Sequence, residues 1–129
     1  MRYLALDIGT RRTGVAFLDT ATGIPLPLDT VHHSTDDELT VAVMEIIRLR
    51  NVGKVLIGLP LLPSGKEGSQ AAVSRRAGNL LSSHGIEVEY MDERYTSPRR
   101  LGHKYAIPVK KFDGDAAAAC ALASLKLHH

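Results

Sequence analysis

The stretch Tyr3-Leu4-Ala5-Leu6-Asp7-Ile8-Gly9-Thr10-Arg11-Arg12-Thr13-Gly14-Val15-Ala16-Phe17 constrains the fold more than any other part of the chain. Its first half is apolar with no charge before Asp7, the pattern of a strand buried on both faces. Asp7 then places a carboxylate at the carboxyl end of a central strand, where an acid is costly unless something pairs with it. Gly9 follows two residues later, where another backbone or a phosphate can come close. Thr10 to Gly14 reads as a turn, and Val15 to Leu18 as a second strand returning beside the first. An aspartate that merely caps the turn is the alternative to a functional acid, and this stretch alone leaves both open.

The chain has 129 residues, which predicts one domain over 1–129 with one core. At 44% hydrophobic and 23% charged it has the composition of an ordinary globular protein. No apolar run reaches membrane-spanning length, so no membrane partner is expected. Asp7 and two arginines arrive too early for a signal peptide. Cys120 is the single cysteine and has no internal disulfide partner, which points to a reducing, cytoplasmic setting and to a role as a small buried apolar residue. A net charge of +2 does not announce nucleic-acid binding. The clustering says more: Arg11-Arg12, Arg75-Arg76, Arg94, Arg99-Arg100, Lys104 and Lys110-Lys111 follow a phosphate backbone if they share a face, and are a solvated surface if they do not.

Beyond the second strand, Ile24 to His33 reads as a third, weakened by Pro25 and Pro27 and so expected at an edge. Thr35-Asp36-Asp37-Glu38 is a capping box opening a helix with Leu39, Val43, Ile46 and Ile47 at helical spacing, ended by Asn51 and Gly53. Lys54 to Ile57 is a short apolar strand ending at Gly58. A loop follows, with Pro60, Pro63, Gly65 and Gly68. Ser69 is the expected cap of the next helix, whose buried stripe is Ala72, Val73, Ala77, Leu80 and Leu81. Ile86, Val88 and Tyr90 alternate with Glu87 and Glu89, a strand with one wet face. Ser97 to Pro108 reads as irregular or briefly helical. Asp113 to Leu127 is an alanine-rich helix that Ala116 to Ala119 allow close to the sheet. Three strands in a meander, then helix, strand, helix, strand and helix, give one α/β layer structure. This is the ribonuclease H-like arrangement: a five-stranded mixed sheet, order 3-2-1-4-5, with helices on its faces.

In that arrangement the ends of the parallel strands share one rim. Asp7 closes the first strand, Glu93 follows the last, and Asp113 and Asp115 open the last helix. Hard divalent cations take carboxylate oxygens and keep several waters, and a pair of them serves phosphodiester hydrolysis. Each acid also has an ordinary structural use. Glu93 can pair with Arg94 or Arg99, and the two aspartates can cap a helix start. Their joint occurrence favours a site. No Cys/His metal spacing or Gly-x-Ser-x-Gly turn competes. The loop from Gly58 to Glu67 lacks the spacing of a phosphate-binding loop. Glu93 lies two strand spacings from Asp7, roughly 9.6 Å, a span that two ions with their ligands can bridge.

Four segments in order resemble the YqgF family, also called RuvX, of Holliday-junction-resolvase-like nucleases linked to processing of the pre-16S rRNA end. They are Asp7-Ile-Gly-Thr-Arg-Arg-Thr-Gly-Val-Ala; Gly58-Leu-Pro-Leu with Gly65-Lys-Glu-Gly-Ser-Gln70; Asp92-Glu-Arg-Tyr-Thr96; and the Asp-x-x-Ala-Ala opening of the last helix. The resemblance implies a ribonuclease H-like fold and a metal-dependent nuclease in ribosome biogenesis. Its catalytic and metal residues would be Asp7, Glu93 and one late aspartate, with magnesium or manganese, as two ions, for cofactor. The late motif is doubled here: both Asp113 and Asp115 fit. Asp115 is favoured because Leu122 and Leu125 then fall where family helices carry large apolar residues, with Asp113 as the alternate. The segment 97–112 is shorter and less rich in arginine than is usual. Arg11, Arg12, Lys66 and Arg94 are the candidate phosphate contacts.

The expected substrate is structured nucleic acid: the pre-16S rRNA end, or alternatively branched DNA cut by a Holliday junction resolvase. A junction cutter acts as a symmetric homodimer because two strands must be cut, whereas an RNA trimmer can act as a monomer. Asp7-Ile-Gly-Thr also resembles the first phosphate motif of actin-like ATP-binding proteins, but that class needs two such domains. A non-catalytic nucleic-acid-binding protein is the third reading, opposed by the intact acids.

Overall fold

A computed structural model describes residues 1–92 and 114–127, with side chains from 116 onward in the last segment. Strands β1 (Arg2–Ile8) and β2 (Arg12–Asp19) pair antiparallel, with Ile8 across from Thr13 and Asp7 across from Gly14. The connecting turn is shorter than expected, because β2 already begins at Arg12. Its closing bond runs from the Gly9 amide to the Arg12 carbonyl, 2.9 Å. A Cβ on Gly9 would lie 2.5 Å from that oxygen, so the approach requires glycine.

The single third strand expected over 24–33 is instead two short ones, β3 (Leu26–Pro27) and β4 (Val31–His32), both antiparallel to β2. The prolines do not make the break: Pro27 lies within β3, the Leu28 amide still donates to the Val15 carbonyl at 2.9 Å, so the missing donors at 25 and 27 face away from β2, and the ladder lapses over 28–30. The sheet therefore has six strands rather than five, in the order β3-β2-β1-β5-β6 with β4 also on β2. Apart from that split, the order is the one expected.

Helix α1 (Asp36–Arg50) starts at the capping box: the Thr35 hydroxyl accepts from the Glu38 amide, and the Glu38 carboxylate accepts from the Thr35 amide. Asn51, left-handed at φ 52°, ends it. Strand β5 (Lys54–Leu59) then lies parallel to β1, and runs through Gly58 rather than stopping there. Helix α2 (Ser69–Ser83) has Gly68 at its cap, not Ser69, and no side-chain cap bond. Its buried face is Ala71, Ser74, Ala77, Gly78 and Leu81, rotated from the expected stripe so that Ala72 is exposed. The small residues turn inward because Tyr90 lies against the helix; a Cβ on Gly78 would be 2.8 Å from the Tyr90 Cζ. Strand β6 (Val88–Asp92) runs parallel to β5, and α3 (Gly114–Leu127) crosses the sheet's other face.

The even positions of β1 and the odd positions of β2 and β5 (Leu4, Leu6, Ile8, Val15, Val55, Ile57) face α1 and α2. The opposite set (Ala5, Ala16, Leu18, Leu56) faces α3 at Ala119, Cys120, Leu122 and Ala123. Ala116, Ala119 and Ala123 are buried, and their small side chains let α3 lie close to the sheet. Cys120 is packed there as a small apolar group, its thiol pushed up to about 11 by burial. No helix among the described residues is long and apolar enough to cross a membrane.

The face of β6 expected to be wet is partly covered. Glu89 accepts from Lys54 at 3.0 Å, and both its oxygens accept from Lys126 of α3 at 3.0 Å. Burial pushes the Glu89 carboxyl up, but the hydrogen bonds and charges of Lys126 and Lys54 outweigh it and hold it below its usual value.

Candidate functional site

Side chains alternate along β1, so Asp7 shares the α3 face with Ala5 and Tyr3. Across from it on β2 stands Gly14. Leu6 pairs with Ile57 on the other side, and continuing that register by one residue brings Gly58 level with Asp7. Both neighbours of Asp7 on the flanking strands thus lack a side chain. The carboxylate is half-buried, and among the described residues nothing hydrogen-bonds to it or ion-pairs with it. A partly desolvated acid with bare backbone on both sides has, among the described residues, no protein group to neutralise it, which suits a cationic ligand.

The C-terminal end of α3 lies by the start of β1. Its Lys126 ammonium lies 5.6 Å from the centroid of the Tyr3 ring, at the start of β1. The eleven residues from Lys126 back to Asp115 span about 16 Å of helix, and Tyr3 to Asp7 spans about 13 Å of strand. A helix laid antiparallel to β1 would carry Asp115, the second residue of α3, toward the end of β1 that bears Asp7. Asp115 precedes Ala119 by four residues and Leu122 by seven, and both of these pack on the sheet. Asp92 ends β6, level with Leu59. Glu93, Arg94, Asp113 and the segment 97–112 lie outside the described residues, as does the side chain of Asp115. Among the described residues no group of three His, Cys, Asp or Glu side chains gathers to hold a metal.

The candidate phosphate contacts separate into two places. Arg11 and Arg12 are exposed at the β1–β2 turn and line a cleft of about 480 Å³ with His32, His33, Ser34 and Glu38. Lys66 is exposed on the loop after β5. That loop is a tight hairpin: the Leu62 amide donates to the Lys66 carbonyl at 2.8 Å, and Leu61 bridges Glu67. Arg75 and Arg76, grouped with the basic clusters by sequence, have acidic partners. Arg75 makes two bonds to Glu67, at 2.8 and 2.7 Å, and lies over the Tyr90 ring; Arg76 pairs with Asp36 at 3.1 Å.

Two features of the site were not read from the sequence. One is the pair of glycines beside Asp7, visible only once the register is known. The other is His33, buried and bonded through Nε2 to the Thr13 hydroxyl at 2.9 Å. Burial holds its pKa below the usual value, opposed by Asp36 and Glu38 and aided by His32.

Known proteins share this architecture. Thermus thermophilus RuvC, solved in complex with Holliday junction substrate, superposes with a TM-score of 0.69 at 14% identity, covering 96% of this chain and 90% of that one. The large terminase nuclease of thermophilic phage G20c superposes with a TM-score of 0.64 at 12% identity, over 98% and 82%. At such identities the likeness is one of fold. Sequence relatives go further. A protein of Chromobacterium violaceum named "Putative pre-16S rRNA nuclease" is 42% identical over 95 residues, 73% of this chain and 69% of that protein. One of the same name from Chloroflexus aurantiacus is 38% identical over 122 residues, 89% and 80%. The family model described as "RuvX: Holliday junction resolvase" matches residues 1–124, and the chain that presents Asp7 between two glycines belongs to the RuvX family.

Proposed function

We propose that this chain is a metal-dependent nuclease that hydrolyses phosphodiester bonds in structured nucleic acid, and that its substrate is the end of pre-16S rRNA. The observation that carries the reading is Asp7: a half-buried carboxylate at the end of a central strand, flanked by Gly14 and Gly58, with no partner among the described residues. The relatives' shared name supports the RNA substrate.

Asp7, Glu93 and Asp115 are the ligands in this reading, with Asp113 as the alternate to Asp115. These residues would hold magnesium or manganese, as two ions, which would supply Lewis acidity for a water nucleophile and for the leaving oxygen. The donor set fits such ions in being carboxylate oxygens only. In the net reaction the water oxygen bonds to phosphorus and the bond to the 3′ oxygen breaks, leaving 5′-phosphate and 3′-hydroxyl ends. Arg11, Arg12, Lys66 and Arg94 hold the phosphate backbone. The positive end of the α3 dipole at the rim favours both the acids and the phosphate.

Branched DNA is the second reading, favoured by the fold shared with a resolvase solved on its junction. Cleavage of pre-16S RNA fragments and of four-way junctions, side by side with magnesium or manganese, decides between the two. Asp7→Asn is the control: it should abolish cleavage while stability holds or rises, since an unpartnered half-buried charge is removed. Full activity in that variant removes the nuclease assignment at this site.

A further inference from the structure

His33 follows β4 and is only 7% exposed. Its Nε2 lies 2.9 Å from the Thr13 hydroxyl, its backbone amide donates to the Arg11 carbonyl at 3.0 Å, and its Nδ1 has no partner among the described residues. A buried imidazole with one orphaned nitrogen is an expensive way to fill space, and an aliphatic side chain would fill it without that cost. What the ring does instead is bond to one short segment. Residues 9–13 are closed within the segment by the Gly9 amide on the Arg12 carbonyl, and are tied to β4 by the pairing of Arg12 with His32 and to the residue after it by His33. Strand β4 has only two residues, too short to hold an edge by its ladder alone. The Thr13–His33 bond is the additional tie. That segment carries Arg11 and Arg12.

We propose that His33 is a positioning residue: bonded to Thr13, it fixes the turn so that Arg11 and Arg12 are already arranged for the phosphates of the nucleic acid. The proposal rests on the reading that these arginines contact phosphate. Ordering a turn in advance removes part of the entropy that binding must otherwise overcome. Thr13 bonds the ring, the charges of Asp36 and Glu38 from α1 and of His32 from β4 act on it, and Arg11 and Arg12 line the same cleft. Desolvation is the largest influence on the ring and favours its neutral form.

The test measures affinity for a labelled RNA hairpin in EDTA across a salt series, and KM and kcat for its cleavage with magnesium. The informative variant is the pair Thr13→Val with His33→Leu, which orphans neither polar group and so should melt within about 5 °C of wild type. It should raise Kd and KM about fivefold, the worth of one net hydrogen bond, with kcat unchanged. His33→Gln, whose amide can reach Thr13, should restore binding to within about twofold. Combined with Arg11→Ala and Arg12→Ala, the pair should have no further effect on Kd. Wild-type affinity for the pair overturns the proposal, as does an undiminished loss in the arginine-free background or a fall in kcat at constant KM. Unchanged affinity for Arg11→Ala with Arg12→Ala alone removes the phosphate reading itself, and this proposal with it.

Discussion

Gly14 stands directly across the β1–β2 pair from Asp7, so the strand beside the carboxylate presents bare backbone on the face where the acid projects. In an antiparallel pair the side chains of opposed residues are near neighbours. Any larger residue at 14 would occupy the space next to the acid. Gly14→Val should therefore lower cleavage by about 100-fold, the scale of a displacement of about 1 Å at a reacting group. Gly14 is buried, so the variant should also lose about 1–3 kcal/mol by overpacking, and its cleavage is read on the folded protein. Wild-type cleavage by a folded Gly14→Val would mean that the space beside Asp7 is not used.

The doubled aspartate at the start of α3 gives an unequal pair of variants. Residues two apart on a helix do not share a face. Asp115 keeps helical register with Ala119 and Leu122, which pack on the sheet, and Asp113 precedes the first helical residue, Gly114. Asp115→Asn should remove most of the activity. Asp113→Asn should act mainly on stability, at up to about 1 kcal/mol if it serves as a cap. Metal-dependent cleavage rates beside melting temperatures check both; the reverse pattern reassigns the late acid to Asp113.

Gly78→Ala tests why α2 is rotated. The added methyl would meet the Tyr90 ring, 2.8 Å from Cζ and 3.1 Å from Cε1, and the ring is also held under Arg75. Despite alanine's better helix propensity, the variant should lose about 1–3 kcal/mol by overpacking. A denaturant midpoint at or above wild type would show that Tyr90 moves freely.

Glu89 carries an acid dependence of stability. Its carboxyl sits below the usual value of 4.5, because Lys126 and Lys54 outweigh the effect of burial. A depressed acid stabilises the fold fully above its unfolded value and loses that contribution as pH falls through the lower folded value. Glu89→Gln should thus cost about 1 kcal/mol at pH 7 after allowance for solvent screening. The gap to wild type should close at acid pH, below 4.5. Melting curves from pH 7 to pH 3 measure it, and a gap that stays constant with pH would show that the carboxylate charge is not what matters.

Local signals were enough for much of the molecule. The charge-free run before Asp7 marked a central strand, Thr35 and Glu38 marked a helix start, and Asn51 marked its end, because each depends on neighbours a few residues away. The order of strands and helices, with the chirality of parallel crossovers, led to the ribonuclease H-like sheet and to a common rim for β1, β5 and β6. What the tertiary structure decided is how distant residues meet. The break between β3 and β4 shows only in their pairing with β2. The rotation of α2 follows from Tyr90 lying against Gly78, and Arg75 turned out to belong to Glu67. The glycines beside Asp7 and the Thr13–His33 bond depend on register, and a slip of one residue would send every one of those side chains to the other face of the sheet. Periodicity along the chain names a strand and its buried face. Only the packing of α1 and α2 on one face and α3 on the other selects the register that puts bare backbone beside the acid.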